Sequence, residues 1–121
     1  MTTRILLVED DKDILSSVRE LLESHGYIVD TASNGMLALR LLKKAQPLPD
    51  LIVLDYMMPQ MDGAEFRVAQ ERDARIAAIP ILLMTADANP DIKQIRIGAR
   101  GYIKKPLDLG KFFAAIEACL R

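Results

Sequence analysis

The fold is decided by residues 51–59, which read Leu-Ile-Val-Leu-Asp-Tyr-Met-Met-Pro. The first four residues of this stretch are apolar, and such a short continuous run is typical of a strand buried on both faces of a parallel sheet. Asp55 ends the run, and a turn that contains Pro59 follows. In open α/β sheets, ligands and chemistry lie at the carboxyl ends of the strands. We therefore predict that Asp55 presents a reactive carboxylate at that edge of a sheet.

The rest of the chain repeats the same alternation of strand and helix. Short β-favouring runs predict four more strands, at residues 5–8, 27–32, 81–84 and 101–104. Capping residues and helical spacing predict five helices, which begin near Asp11 or Asp13, Ser33 or Asn34, Asp62, Asn89 and Leu107. The second strand alternates more than the others, which favours a place near the edge of the sheet. Right-handed crossovers then predict a doubly wound α/β fold, with a five-stranded parallel sheet covered by helices on both faces.

The spacing of apolar residues within each helix predicts which side chains face the core. Leu37 of the second helix and Phe66 and Val68 of the third helix are predicted to point inward. In the last helix, Phe112 and Ile116 lie on one apolar stripe.

Composition narrows the function classes that the chain can serve. A length of 121 residues predicts one domain, and 16 basic against 17 acidic residues give no basic surface for nucleic acid. The apolar runs are too short to span a bilayer, and the N-terminus leads directly into a strand, so we expect neither a membrane segment nor a signal peptide. A single cysteine, Cys119, excludes an internal disulfide and fits a reducing cytoplasm.

Five chemically capable side chains stand at the predicted strand ends. They are Glu9 and Asp10 after the first strand, Asp55 in the third, Thr85 after the fourth and Lys105 after the fifth. In a parallel sheet these groups converge, and three close carboxylates repel one another unless positive charge joins them; a lysine helps, and a divalent cation helps more. Oxygen donors with open positions suit Mg²⁺, and one carboxylate then remains to act as a nucleophile toward phosphorus. Thr85 and Lys105 would stabilise the charge on a transferred phosphoryl group.

Two rival α/β proteins share the alternation of strand and helix but not the first turn. A flavodoxin or a P-loop protein cradles phosphate with a loop rich in Gly, Ser and Thr after its first strand. Here that turn reads Glu9-Asp10-Asp11-Lys12, whose acids repel a bare phosphate and favour a cation. A hydrolase acting on another molecule is also disfavoured, because neither a second catalytic base nor a substrate-domain insertion is visible.

Several residues near the site also have a purely structural interpretation. Asp62 is expected to serve only as a helix cap, and Tyr102 can pack in the core as well as act in a switch. Met57, Met58 and Met61 cluster beside Asp55 in the sequence. Because methionine fills irregular gaps in cores, we favour packing over redox sensing for all three.

Four motifs in order resemble the receiver domains of bacterial two-component response regulators, over residues 4–119. These motifs are Val8-Glu9-Asp10-Asp11, the stretch from Asp55 to Gly63, Thr85-Ala86 and the stretch from Gly101 to Pro106. Each motif stands at a predicted strand end. The resemblance implies a flavodoxin-like sheet with strand order 2-1-3-4-5.

The resemblance also assigns roles within the site. It implies that Asp55 is the phosphoacceptor, and that Mg²⁺ is bound by Asp10, Asp55 and the backbone carbonyl of Met57. Glu9 is implied to contact the metal through water. Lys105 is implied to pair with the phosphoryl group.

Two further features follow from the same resemblance. The peptide bond between Lys105 and Pro106 is expected to be cis. Thr85 and Tyr102 are expected to move together as a switch, and Met57 and Asp87 to tune how fast water attacks the phosphoryl group.

Partners and output are likewise implied by the resemblance. The donor is expected to be a phosphohistidine of a histidine kinase or phosphotransfer protein. The chain is expected to catalyse only its own phosphorylation and dephosphorylation, and to act in the cytoplasm. An output protein, a missing C-terminal output domain and a homodimer all remain open. The stretch from Thr85 to Lys105 is shorter than is common in the family, which leaves the usual partner geometry open. The alternative function is an interaction module that works without phosphorylation.

Overall fold

The computed structural model describes residues 2–86 and 97–121, which form five strands and four helices. The strands are β1 (Arg4–Val8), β2 (Ile28–Ala32), β3 (Leu51–Asp55), β4 (Ile81–Thr85) and β5 (Gly101–Lys104). The helices are α1 (Lys12–Ser24), α2 (Gly35–Lys44), α3 (Gly63–Glu71) and α4 (Leu109–Leu120). The helix predicted to start near Asn89 lies outside the described residues, as does Asp87.

The strands form one parallel sheet in the order β2-β1-β3-β4-β5, which confirms the predicted topology and the edge position of β2. In the register of the sheet, Leu54 lies beside Val8 on one side and beside Leu83 on the other. The central strands therefore end at nearly the same level. Side chains at or just after their last residues are brought to one edge, as the sequence predicted.

The strands are buried on both faces because alternate side chains pack against different helices. Leu6, Val8, Ile52 and Leu54 belong to a core that includes residues of α2 and α3. The intervening residues Ile5, Leu7, Leu51 and Val53 belong to a second core with residues of α1 and α4. This arrangement explains why β1, β3 and β4 read as continuous apolar runs rather than alternating ones.

Each helix begins at a side chain that caps its first backbone N–H groups. Asp11 caps α1, Asn34 caps α2 and Asp108 caps α4, each by accepting from N–H groups two or three residues later. Asp62 caps α3 in a reciprocal capping box with Glu65. These caps satisfy N–H groups that have no partner within the helix. Asp62 therefore does have the capping role predicted for it.

Two of the predictions of inward-facing side chains are wrong. Leu37 is 41% exposed and Val68 is 51% exposed. In α3 the buried line runs through Phe66 and Gln70, which are four residues apart, and Val68 lies midway between them on the opposite side of the helix. In α2 the buried line runs through Ala38 and Leu42, which leaves Leu37 outside it.

The buried face of α3 contains the polar side chain of Gln70, whereas the sequence pattern predicted that the apolar Val68 would be buried. Its Nε2 donates to the carbonyls of Ile76 (2.9 Å) and Ile79 (3.1 Å), and its Oε1 accepts from Arg67 (3.0 Å). A fully buried amide is stable only when its hydrogen-bonding groups are satisfied. Gln70 thus fixes the loop between α3 and β4.

Two arginines bind the carbonyl groups that helices leave free at their C-terminal ends. The guanidinium of Arg75 donates to the carbonyls of Leu42 and Ala45 at the end of α2. Arg100 donates to the carbonyl of Cys119 in the last turn of α4, at 2.9 Å.

None of the helices within the described ranges has the length and apolar character that crossing a membrane requires.

We predict that two substitutions in α3 will have very different effects on the free energy of unfolding. Phe66→Ala removes a fully buried side chain and should lower the free energy of unfolding by about 3–5 kcal/mol. Val68→Ala, its control on the exposed side of the same helix, should change it by no more than about 0.5 kcal/mol. Urea unfolding followed by circular dichroism measures both. Equal losses in the two variants would contradict this packing of α3.

Candidate functional site

Glu9 and Asp55 are two acids that the sheet holds almost without exposure to water. Glu9 follows β1 and is 1% exposed, and Asp55 is the last residue of β3 and is 4% exposed. The backbone N–H of Glu9 donates to the carbonyl of Ala32, and its carboxylate oxygen Oε1 accepts from the N–H of Asp11 at 3.1 Å. These bonds hold the Glu9 side chain at the sheet edge.

The ammonium group of Lys105 joins these two acids. Its Nζ lies 2.9 Å from Oε2 of Glu9 and 3.2 Å from Oδ1 of Asp55. The backbone of Lys105 is held by a hydrogen bond from its N–H to the carbonyl of Thr85, and its peptide bond to Pro106 is cis. A cation between two buried carboxylates offsets their mutual repulsion, which would otherwise favour protonation of one of them.

The protonation of the site reflects this crowding. Burial raises the pKa of the Asp55 carboxyl to about 7, the negative charge of Glu9 adds to the rise, and Lys105 opposes it. For Lys105, burial acts to lower the pKa, but the hydrogen bond to Glu9 and the charges of Asp55 and Glu9 raise it above its ordinary value. Lys105 is therefore charged at neutral pH, whereas Asp55 is near the midpoint of its titration.

Asp10 completes a cluster of three carboxylates. One oxygen from each of Glu9, Asp10 and Asp55 lies within 4.8 Å of the other two. Asp10 is exposed while the other two are buried, so the cluster opens to solvent on one side. Clustered carboxylate oxygens with open positions are the donor set that Mg²⁺ prefers. The residues present thus fit a hard divalent cation.

The loop after Asp55 is held by the backbone and by close packing. The N–H of Tyr56 donates to the carbonyl of Met84, and the N–H of Gly63 donates to the carbonyl of Tyr56. A Cβ at position 63 would lie 3.1 Å from the Tyr56 ring, so glycine permits this approach. Within the loop, Gln60 has a φ of 70°, in the left-handed region that non-glycine residues seldom occupy.

The three methionines of this loop do not share one role. Met58 is buried in the core, and Met61 packs against that core from a partly exposed position, as gap-filling predicts. Met57 is 66% exposed, so gap-filling is wrong for this residue. Its side chain points to solvent two residues beyond Asp55.

Thr85 lies on β4, which is next to β3, and Tyr102 lies on β5, the strand beyond β4. Thr85 ends β4 and is 1% exposed, and in the register of the sheet it lies beside Lys104 of β5. Tyr102 is partly exposed and packs against the core that contains Leu83, its neighbour in the register. Lys104 is exposed, whereas its neighbour Lys105 reaches the acids. Thr85 is therefore at the sheet edge that carries Asp55, and Tyr102 is one strand away from it.

The sequence predicts that a lysine or a divalent cation joins the carboxylates, but it does not indicate which acid Lys105 contacts most closely. In the structure, the shortest ion pair in the cluster joins Lys105 directly to Glu9. Residues that are 96 positions apart carry no local signal of such a pairing. The convergence of strand ends was the only feature that could have suggested it.

Comparison with known proteins agrees with this geometry. The family model for the response regulator receiver domain matches residues 5–117. Response regulator MprA of Mycobacterium ulcerans is 37% identical over 123 aligned residues, which cover 100% of this chain and 51% of that protein. Response regulator MprA of Mycobacterium leprae is 38% identical over 120 residues, which cover 98% of this chain and 51% of that protein. The chain thus spans about half the length of these curated relatives.

Solved structures of similar proteins have the same fold over their full length. The chemotaxis protein CheY4 of Vibrio cholerae superposes with a TM-score of 0.90 at 31% identity, covering 99% of this chain and 100% of that one. A putative response regulator from Chloroflexus aurantiacus gives a TM-score of 0.90 at 25% identity, covering 99% and 98% of the two chains. The matched family model, the shared sheet and the acid cluster at its edge lead to one conclusion: this chain belongs to the family of response regulator receiver domains.

Proposed function

We propose that this domain accepts a phosphoryl group on Asp55 from the phosphohistidine of a histidine kinase or phosphotransfer protein, in a Mg²⁺-dependent reaction. The observation that carries the proposal is the cluster of Glu9, Asp10 and Asp55 with Lys105 at one sheet edge, in a chain of this family. The residues act as one receiver domain over positions 1–121.

Charge explains why a divalent cation is required. When all three carboxylates are ionised, as a nucleophilic Asp55 requires, three negative charges and one ammonium leave a formal charge of −2, which one divalent cation cancels. We assign Asp10, Asp55 and the backbone carbonyl of Met57 as direct ligands, and Glu9 as a ligand through water. Bound Mg²⁺ supplies positive charge to the oxygens of the transferring phosphoryl group.

Asp55 is the nucleophile in this proposal. An oxygen of its carboxylate attacks phosphorus, the P–O bond forms and the P–N bond of phosphohistidine breaks. Because its pKa is raised to about 7 even beside Lys105, the carboxylate needs further positive charge to remain ionised, which the divalent cation would supply. Lys105, whose Nζ is 3.2 Å from Asp55, opposes a still larger rise and is positioned to pair with a phosphoryl oxygen. The buried hydroxyl of Thr85 donates to another.

Phosphorylation then acts as a switch. The added charge on Asp55 draws the hydroxyl of Thr85, and Tyr102 on the next strand responds to the space that Thr85 leaves. A ligand or modification can only bias states that differ in their interactions with it, so this change shifts a pre-existing equilibrium. The output is a partner protein or a further domain, either of which is compatible with the greater length of the curated relatives.

The proposal also limits what the domain does. It catalyses its own phosphorylation and dephosphorylation, turns over no separate substrate, and acts in the cytoplasm without binding nucleic acid or membranes itself.

We predict a single phosphoryl adduct when the protein is incubated with acetyl phosphate and Mg²⁺. Intact mass spectrometry should show the adduct in the wild type and in Asp50→Asn, which removes an exposed acid just before β3. Asp55→Asn should show none, and a chelator should abolish the adduct in every protein.

An adduct that persists in Asp55→Asn would contradict the assignment of the phosphoacceptor. Absence of any adduct in the wild type would instead favour the alternative, an interaction module that does not depend on phosphorylation.

A second prediction separates two adjacent lysines. Lys105→Met removes the ammonium between Glu9 and Asp55, so the rate of adduct formation should fall by at least about tenfold. Lys104→Met changes an exposed residue and should leave the rate unchanged. Phosphorylation time courses by mass spectrometry measure both rates. Equal rates in the two variants would remove Lys105 from the proposed chemistry.

A third prediction concerns stability and pH. An acid whose pKa is raised on folding removes stability as pH increases from its unfolded pKa, about 4, through its folded pKa, about 7. A shift of this size corresponds to about 4 kcal/mol, and water at the open side of the site screens part of it. Without Mg²⁺ at pH 8, Asp55→Asn should therefore unfold with a free energy about 1–2 kcal/mol above that of the wild type.

The difference should shrink when Mg²⁺ is added, because the cation stabilises the ionised carboxylate, and it should also shrink toward pH 4. Urea unfolding with and without Mg²⁺ measures both effects, with Asp50→Asn as the control for loss of an acid on the same segment. A wild type more stable than Asp55→Asn at pH 8 in chelator would contradict the charge balance described above.

A further inference from the structure

Met57 stands apart from the other methionines of the described residues. Its side chain is 66% exposed, against 46% for Met36, 7% for Met58 and 0% for Met84. An exposed apolar side chain of this size makes little contribution to packing. Its thioether sulfur is instead accessible to reagents in solution, whereas the sulfurs of Met58 and Met84 are shielded by the core.

The exposure of Met57 is imposed by its neighbours. Tyr56 on one side is 5% exposed, and its N–H is bonded to Met84 and its carbonyl to Gly63. Met58 on the other side is 7% exposed and lies in the core. With both neighbours anchored inward, the intervening side chain is directed outward. The loop thus presents one exposed sulfur-containing side chain two residues beyond Asp55.

We propose that Met57 is a site of reversible oxidation by hydrogen peroxide, and that its sulfoxide shortens the lifetime of the phosphoryl group on Asp55. The second part rests on the function proposed above. In the reaction, a lone pair on the sulfur attacks peroxide, the O–O bond breaks, an S–O bond forms and water leaves. The sulfur loses two electrons and the peroxide gains them. Methionine sulfoxide reductases restore the thioether.

The consequence follows from the change in polarity. The thioether is a weak hydrogen-bond acceptor, whereas a sulfoxide oxygen is a strong one on a now polar side chain. Two residues from Asp55, such an exposed acceptor orders water that the apolar side chain does not. Water attack on the aspartyl phosphate should then accelerate by a factor of about two to ten, the effect of one neutral hydrogen bond on a rate.

The other sulfur atoms of the described residues provide internal standards. Cys119 is 2% exposed, and burial raises the pKa of its thiol, so the reactive thiolate is scarce at neutral pH. Met36 is exposed near the start of α2 and tests whether oxidation of any accessible methionine has the same effect.

The first part of the test measures where peroxide reacts. The 121-residue chain is treated with hydrogen peroxide in a chelator, which prevents metal-catalysed radical chemistry, and peptides are mapped by mass spectrometry over time. Met57 should be oxidised faster than Met36, and both much faster than Met58 and Met84. Oxidation of Met36 at the same rate as Met57 or faster would overturn the assignment.

The second part measures the phosphoryl lifetime. Protein with and without peroxide treatment is phosphorylated with acetyl phosphate and Mg²⁺, freed of the donor, and followed by intact mass. Treatment should shorten the half-life in the wild type and in Met36→Leu, but not in Met57→Leu, with each variant compared only with its own untreated form. A methionine sulfoxide reductase should restore the original half-life.

The outcomes distinguish the two proposals. If untreated protein is phosphorylated but complete oxidation of Met57 leaves the half-life unchanged or longer, the inference fails and the proposed function stands. If treatment also shortens the half-life of Met57→Leu, the effect belongs to another residue and the inference fails. If untreated protein takes up no phosphoryl group, the proposed function fails and the regulatory part of this inference fails with it.

Discussion

The ammonium of Lys105 between the carboxylates of Glu9 and Asp55 is the interaction on which the site depends. Two acids that are 1% and 4% exposed cannot both remain ionised in so small a space without a partner. The lysine supplies that partner from the opposite end of the chain. Its position is possible only because the strands are parallel and end at the same level, so the sheet and the site constrain each other.

One lysine does not balance the cluster completely. The pKa of Asp55 remains raised to about 7 although Lys105 lies beside it, because burial and Glu9 outweigh the lysine. With Asp10 at the exposed side, the site has a remaining demand for positive charge that faces solvent. The imbalance favours entry of a hard cation. Without one, it lowers the stability of the domain as Asp55 ionises.

The loop that follows Asp55 combines backbone hydrogen bonds with an exposed methionine. Backbone bonds of Tyr56 and the close approach of Gly63 hold its ends, while Met57 is directed to solvent. The backbone bonds fix the course of the loop, and the exposed side chain of Met57 can change without disturbing the packing of the core.

The sequence by itself determined the order of the strands and of the four described helices, the capping regions of the first three, and the residues at the sheet edge. These features depend on short apolar runs and on local hydrogen bonds between neighbouring residues, so they can be predicted from the sequence. Only the tertiary structure decided what depends on distant residues: the bond from Lys105 to Glu9, the burial of Gln70 in place of Val68, and the exposure of Met57. The periodicity of apolar residues shows that a helix has a buried side and an exposed side. Which side chains are buried, in a helix or in a loop, is decided by packing against elements that lie far away in the sequence.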